Sequence, residues 1–332
     1  MNYILTIILI ILISYLLSQL SKKIKWPEVV SLILFGLIVS FPEVRNFLIV
    51  PNEGLISFLG TMGLFSLMFL AGLESSWKIL YKEKKDSVII AFLSFIVPLI
   101  LATGVFLLLG LPFSVALIIG VCLSISAEAT RAKVLLNLNK LKTKIGSILM
   151  GAGIVDDLLG LFSFIIITSF LHQTHITELL LILGVIFFFF IGIVSNHFIK
   201  KENKIRVAFE KALLLLLVPF FFVSIGLNFS ITSLLVNILL LTVMIATAMS
   251  GKFIGAFISK PFTKLNFRKL YLIGWAMNSR GSIEIALALI AFKINIISVE
   301  IYSALVITAL LTTISFPLAI TYLIKKFPKI MN

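Results

Sequence analysis

The chain has 332 residues, of which 60% are hydrophobic, a mean hydropathy of +1.19 and a net charge of +14. Apolar runs near 20 residues recur from end to end, which excludes a soluble globular protein and indicates a polytopic, all-α membrane protein. The single Cys122 and three histidines without ligand spacing (His172, His175, His197) exclude a disulfide framework and a cysteine or histidine metal centre, and the 30 phenylalanines suit lipid-facing and packing surface without calling for a cofactor.

Eleven apolar segments follow one another, at about residues 3–20, 29–41, 56–73, 88–109, 113–136, 145–171, 179–199, 208–229, 231–258, 270–292 and 299–324. The first lacks a basic leader and a small-residue cleavage site, so it reads as a retained span. The second is short and bounded by Pro27 and Pro42, and length alone would allow a re-entrant segment. Loop charges decide for a crossing. Lys22, Lys23 and Lys25 follow segment one; Lys78, Lys82, Lys84 and Lys85 follow three; Lys140, Lys142 and Lys144 follow five. Lys200, Lys201, Lys204, Arg206 and Lys211 follow seven, Lys260, Lys264, Arg268 and Lys269 follow nine, and Lys325, Lys326 and Lys329 close the chain. Alternate loops thus hold 22 of the 28 basic residues, and the opposite ones only Arg45 and Lys293. The positive-inside rule then puts the N-terminus outside and the C-terminus in the cytoplasm of a multi-pass protein of the cell membrane. The basic excess is a topology signal, so nucleic acid is excluded as a partner. The longest polar stretch, 200–211, is too short for a soluble regulatory domain.

Segment six carries Gly151-Ala-Gly-Ile-Val-Asp-Asp-Leu-Leu-Gly160, with Asp156 and Asp157 at mid-length. A carboxylate at bilayer depth costs roughly 2.5 to 3.5 kcal/mol on insertion scales, so two in succession mark a functional site. Neighbouring helical positions point about 100° apart. The two acids therefore cannot face each other over one proton, which argues against an intramembrane aspartyl protease or other enzyme. Gly153 and Gly160 thin the helix beside them, leaving room for other backbones or a small ion.

Beyond the loops, Arg131, Lys133, Lys252 and Arg280 stand against Glu128, Asp156, Asp157 and Glu284, and their formal charges cancel. Segment five (Ser124-Ile-Ser-Ala-Glu-Ala-Thr-Arg131) and segment ten (Asn278-Ser-Arg-Gly-Ser-Ile-Glu284) are interrupted at mid-length by small polar and charged residues. Two interrupted spans in corresponding parts of two halves point to a transporter site, where unwound backbone and half-helix ends meet an ion. Ser124, Ser126, Thr130, Asn278, Ser279 and Ser282 are the oxygen donors on offer, unless their hydroxyls bond back to the preceding turn. Lys252 lies about 12 Å inside the cytoplasmic Lys260 along segment nine, which favours a buried, paired ammonium over a snorkelling one.

These residues resemble the monovalent cation:proton antiporter superfamily, in its NapA/Kef-type branch of sodium/hydrogen exchangers. Phe69-Leu-Ala-Gly-Leu-Glu74, Leu138-Asn-Lys-Leu-Lys-Thr143 followed by the double aspartate, Pro219-Phe-Phe-Phe-Val-Ser-Ile-Gly-Leu227 and Arg280-Gly281 are similar to family motifs and occur in family order. The resemblance implies an inverted-repeat, NhaA-like fold of about 11 helices with two broken crossing helices. Its transport core would occupy about 87–171 and 231–326, and its scaffold about 1–75 and 176–229. It implies that Asp157 binds the transported Na⁺ or a proton competitively and that Asp156 pairs with Lys252. Paired acids at this motif are similar to those of electrogenic members. Na⁺(Li⁺)/H⁺ exchange by alternating access, serving pH homeostasis, is the expected activity. The alternatives are K⁺/H⁺ exchange of the Kef type, or a channel-like or non-transporting relative. Three features depart from the family. About 60 residues, two helices, are missing between Lys201 and Ala208, which puts a homodimer in doubt; Glu128, Arg131 and Lys133 stand where neutral residues are usual; and no nucleotide-binding domain follows.

Overall fold

The computed structural model describes residues 3–23, 28–74, 83–171, 176–199 and 203–331. Lys25, Pro27, Lys78, Lys82, Lys200, Lys201, His172 and His175 lie outside the described residues. All regular structure among the described residues is helical. Nine helical stretches there are long and apolar enough to cross a bilayer. Of the remaining two expected segments, the second forms a shorter helix, Glu28–Val39, and the tenth is present as two half-helices.

The chain divides into two compact units, Met1–Ser75 with Leu179–Ile231, and Ser76–Glu178 with Thr232–Asn332. The first contains α1 (Tyr3–Lys23), α2 (Glu28–Val39), α3 (Pro42–Leu48), α4 (Glu53–Glu74), α9 (Ile176–Phe198), α10 (Lys204–Leu216) and α11 (Val218–Leu227). The eighth segment is therefore not continuous. Pro219, at the start of α11, has no N–H to continue the ladder, and α10 ends just before it. Helix α11 packs on α2 and α4. A Cβ on Gly226 would run into the backbone of Gly36, and one on Gly72 into the backbone of α9 next to Gly192, so small residues set these helix separations. Ile10, Phe35, Val39, Ile56, Phe220 and Val223 fill the space between. Arg206, counted among the loop charges from sequence, is in fact 6% exposed inside this unit. Its guanidinium donates to Glu210 at 2.7 Å, to Asn196 at 2.9 Å, and to the Ile199 and Leu73 carbonyls at 2.7 and 3.0 Å.

The second unit repeats one pattern twice: a long helix, a broken span, and a second long helix. The first copy is α5 (Lys84–Leu108), α6 (Phe113–Ser124) with α7 (Glu128–Asn137), and α8 (Lys144–Leu171). The second is α13 (Ile238–Ile258), α14 (Phe267–Met277) with α15 (Ser282–Lys293), and α16 (Val299–Lys326). A short helix, α12 (Ile231–Val236), precedes α13, and Asn237 separates the two by accepting the Leu240 N–H at 3.0 Å as an N-cap. The ninth expected segment is therefore interrupted. Each half-helix has 10 to 12 residues, about 15 to 18 Å, roughly half a bilayer. Helix α5 packs on α6, α8 and α13, and α16 on α13, α14 and α15.

The two repeats also share an ending. Asn139, two residues past α7, and Asn295, two past α15, have φ of 55° and 58°. In each case the asparagine N–H donates three residues back and the following N–H five residues back (Lys140 to Leu135, 2.8 Å; Ile296 to Ala291, 2.9 Å). This is the Schellman closure, with asparagine in the left-handed position that usually takes glycine. Large side chains such as Leu108, Phe170 and Ile205 point outward, as a surface covered by lipid requires.

Candidate functional site

The site is assembled where the two breaks of the second unit meet. The Ala127 N–H donates to the Ser279 carbonyl at 2.7 Å, and the Ser279 hydroxyl donates to the Ala127 carbonyl at 3.1 Å. A Cβ on Gly281 would lie 2.5 Å from that of Ala127, so the close crossing of the two strands requires glycine there. Breaking a helix exposes carbonyls at the end of its first half and N–H groups at the start of its second. The carbonyls of α6 are satisfied by cations. Arg280 donates to the Cys122 and Leu123 carbonyls at 3.1 and 2.6 Å and to Glu284 at 3.1 Å, and Lys252 donates to the Ser124 carbonyl. Both charges stand at the negative end of the α6 dipole, where a cation is favoured. The hydroxyl of Thr313, which the sequence reading did not single out, holds the Arg280 carbonyl at 2.9 Å. The pair Thr312-Thr313 in an apolar span was the available signal.

Helix α8 brings the aspartates to this crossing. Asp156 is fully buried, accepts the Ser126 N–H at 2.6 Å through Oδ2, and has Oδ1 3.5 Å from the Lys252 ammonium. Lys252, itself 0% exposed, also donates to the Ser126 hydroxyl at 2.8 Å, so it does not snorkel. Asp157, 2% exposed, points about 100° away around the helix and is likewise enclosed. The room beside Gly153 and Gly160 is taken up by side chains of the first broken span, not by other backbones. A Cβ on Gly153 would lie 2.9 Å from both Arg131 Nη2 and Glu128 Cγ, and one on Gly160 would meet Ile125.

Of the oxygen donors expected from sequence, Ser126 takes part in the Lys252 and Asp156 network. The Ser124 hydroxyl bonds back to Gly120 at 2.6 Å, and Asn278 Nδ2 to Gly274 at 2.9 Å. Thr130 is buried and Ser282 half-buried. Two enclosed oxygens at this crossing, Asn278 Oδ1 and Glu284 Oε2, accept no hydrogen bond among the described residues. Buried acceptors are ordinarily satisfied, so these have capacity for a ligand. One expectation is overturned. Lys133 is exposed, whereas Arg131 is 0% exposed, because two helical steps turn a side chain by about 200°. The enclosed charges therefore do not cancel. They are the carboxylates Glu128, Asp156, Asp157 and Glu284 against the cations Arg131, Lys252 and Arg280.

The chain is similar to known proteins over nearly all its length. A Na(+)/H(+) antiporter of Enterococcus hirae is 27% identical over 98% of this chain and 99% of its own. The Na(+)/H(+)-K(+) antiporter GerN of Bacillus cereus is 24% identical over 95% of each. The first alignment runs over 387 positions, so at least 55 of them (387 less 332) face no residue of this chain. Among solved structures, the sodium proton antiporter MjNhaP1 of Methanocaldococcus jannaschii shares the fold, with a TM-score of 0.69, 15% identity and 98% of both chains covered. The family model for the transmembrane sodium/hydrogen exchanger matches residues 8–201 and 188–326, and with this agreement of motif order, broken-helix crossing and whole-chain likeness, the chain belongs to the sodium/hydrogen exchanger family.

Proposed function

We propose that this multi-pass membrane protein exchanges Na⁺ or Li⁺ for H⁺ by alternating access, with Asp157 as the carboxylate that holds either the cation or the proton. The observation that carries this reading is the enclosure of Asp157 beside an Asp156–Lys252 ion pair, at the crossing of two broken spans. An ionised carboxylate there is too costly to move through lipid uncompensated, and either a monovalent cation or a proton relieves it. Competition for one oxygen pair couples the two fluxes. Asn278, Glu284 and the broken backbone add acceptors around the site, and Asp156 accepts the Ser126 N–H and faces Lys252. No resident cofactor enters this scheme, since the cation is cargo.

The loop charges support an outside N-terminus and a cytoplasmic C-terminus in the cell membrane. A homodimer is the weaker assembly proposal, because the unmatched alignment positions of the Enterococcus relative amount to about two helices of surface. One relative is named as acting on K⁺ as well as Na⁺, which favours K⁺ as a second cargo to be measured alongside.

The test is a proteoliposome with an internal pH dye and an imposed pH gradient. Pulses of Na⁺, Li⁺ and K⁺ dissipate the gradient with the native protein, and Asp157→Asn abolishes the response to all three. A Na⁺ response of native size in Asp157→Asn would overturn the assignment.

A further inference from the structure

Away from the crossing, the second unit has a cleft of about 480 Å³ among α13, α14, α16 and the residues that follow α16, a size typical of ligand sites. Phe257, Tyr271, Tyr322, Leu323 and Ile330 supply its apolar wall, and Arg268 and Lys326 line it as well. Leu323 and Ile330 are buried, whereas Tyr271 and Tyr322 are 42% and 60% exposed, so the cleft has a closed floor and open sides.

Three helix ends meet here: α13 closes at Ile258, α14 opens at Phe267 and α16 closes at Lys326. These ends carry the basic loops whose charge supports a cytoplasmic position, which puts Arg268 and Lys326 level with lipid headgroups. Tyr271 lies four residues into α14 and Tyr322 four before the end of α16, about 6 Å further inward along each axis, where acyl chains begin.

Basic residues at such an end are expected of any membrane protein. Their arrangement around one ring is particular to this chain. The Arg268 guanidinium and the Lys326 ammonium lie 5.3 and 5.8 Å from the centroid of Phe327, and Lys326 donates to the Tyr322 hydroxyl at 3.2 Å. A ring attracts cations without neutralising them, so an anion that reaches both is favoured. Residues 259–277 and 301–331, which supply most of the lining, carry seven basic residues and no acidic one, so nothing on them competes with such an anion. Basic pockets between spans at this depth suit a charged headgroup.

We propose that the cleft binds one anionic phospholipid, its phosphate between Arg268 and Lys326 and an acyl chain along Tyr271, Tyr322 and Leu323. The surrounding membrane supplies the ligand, and its two parts match the charged and the apolar parts of the cleft. Bound there, it ties α14 to α16 at the end of the second repeat.

The experiment titrates the full chain, purified in detergent, with dioleoyl phosphatidylglycerol, dioleoyl phosphatidylcholine or inorganic phosphate. One-to-one binding is followed by native mass spectrometry and by the melting temperature, which a ligand of the folded state raises. Phosphatidylglycerol binds about thirtyfold more tightly than phosphatidylcholine, the preference expected of two basic side chains at a membrane surface. The double variant Arg268→Gln, Lys326→Gln reduces that preference to about threefold or less, whereas Lys264→Gln, Lys329→Gln, an equal loss of charge at exposed positions outside the cleft lining, keeps it above about tenfold. Equal affinity of the native protein for the two lipids overturns the proposal, and so does an equal loss in both double variants, which would reduce the preference to diffuse surface charge. Inorganic phosphate binding as tightly as phosphatidylglycerol would make this a site for a soluble anion and overturn the lipid. Should the variants fail to fold, the native preference still decides. No transport is measured, so the result is separate from that of the exchange assay.

Discussion

Each unit of this molecule buries an arginine on a short helix, Arg206 on α10 and Arg131 on α7, and the two are treated in opposite ways. Arg206 in the first unit uses its donors on Glu210, Asn196 and two carbonyls, at 2.7 to 3.0 Å. Arg131 in the second is more deeply buried, yet two of its three nitrogens find no acceptor among the described residues. Burial of a charge is therefore a poor guide to its role. Satisfaction separates them: a saturated guanidinium holds helices together, and one left with open donors among carboxylates is free to respond when those carboxylates change ligand.

The largest effect should come from breaking the saturated side of this contrast. Arg206→Met removes the donors to Asn196 and to the Ile199 and Leu73 carbonyls and leaves the partly exposed Glu210 without its arginine, a loss of about 2 to 3 kcal/mol. It is expected to lower the melting temperature in detergent sharply, while the fraction that remains folded keeps a native half-saturation for Na⁺. Next is the packing of the same unit. Gly226→Ala pushes a methyl into the Gly36 backbone and should destabilise by about 1 to 3 kcal/mol, measured the same way. A change in cation affinity instead of stability from either variant would erase the distinction between the two arginines.

Much of this contrast could be read from the residues. Span lengths and alternating loop charges were legible because a bilayer imposes both on any sequence that crosses it. The breaks in the fifth and tenth segments were legible because Ser126-Ala-Glu and Asn278-Ser-Arg are too polar for an uninterrupted apolar helix. That Lys252 is buried and paired followed a simple demand, since each enclosed charge needs an opposite one, whereas Asp156 as its partner, at 3.5 Å, was implied by the family resemblance. What failed were statements about side-chain direction. Lys133 was grouped with Arg131 because both lie in one segment, although a helix turns them to opposite faces. Arg206 was counted with the loop lysines because sequence position does not say whether a basic residue faces water or turns inward on the Leu73 carbonyl. The cap at Asn237 and the proline at the start of α11, Pro219, divided spans that hydropathy alone joined.

A smaller effect sharpens the unsaturated side. Gly153→Ala adds a methyl 2.9 Å from Arg131 Nη2 and Glu128 Cγ, both on side chains able to give way. The gain in helix propensity, about 0.8 to 1 kcal/mol, offsets most of the crowding, so stability should change by less than about 1 kcal/mol. The guanidinium is pushed away from the aspartate helix, its compensation weakens, and half-saturating Na⁺ falls by about two- to threefold. A variant that loses stability without altering affinity would show that Gly153 only packs.

The smallest effect is the most discriminating, because it concerns a charge two residues from Arg131. Lys133 is exposed, and salt screens the interactions of exposed charges beyond about 8 Å under physiological conditions. Lys133→Gln removes one unit of formal charge from the helix that also carries the enclosed Arg131 and should leave half-saturating Na⁺ unchanged, with stability within about 0.5 kcal/mol of native. If the charges of the segment acted as a sum, as their cancellation in the sequence suggests, Lys133→Gln and Arg131→Gln would lower half-saturating Na⁺ alike. If enclosure decides which charges the transported ion feels, only the arginine matters, and proton flux at graded Na⁺ concentrations in the two variants separates these cases.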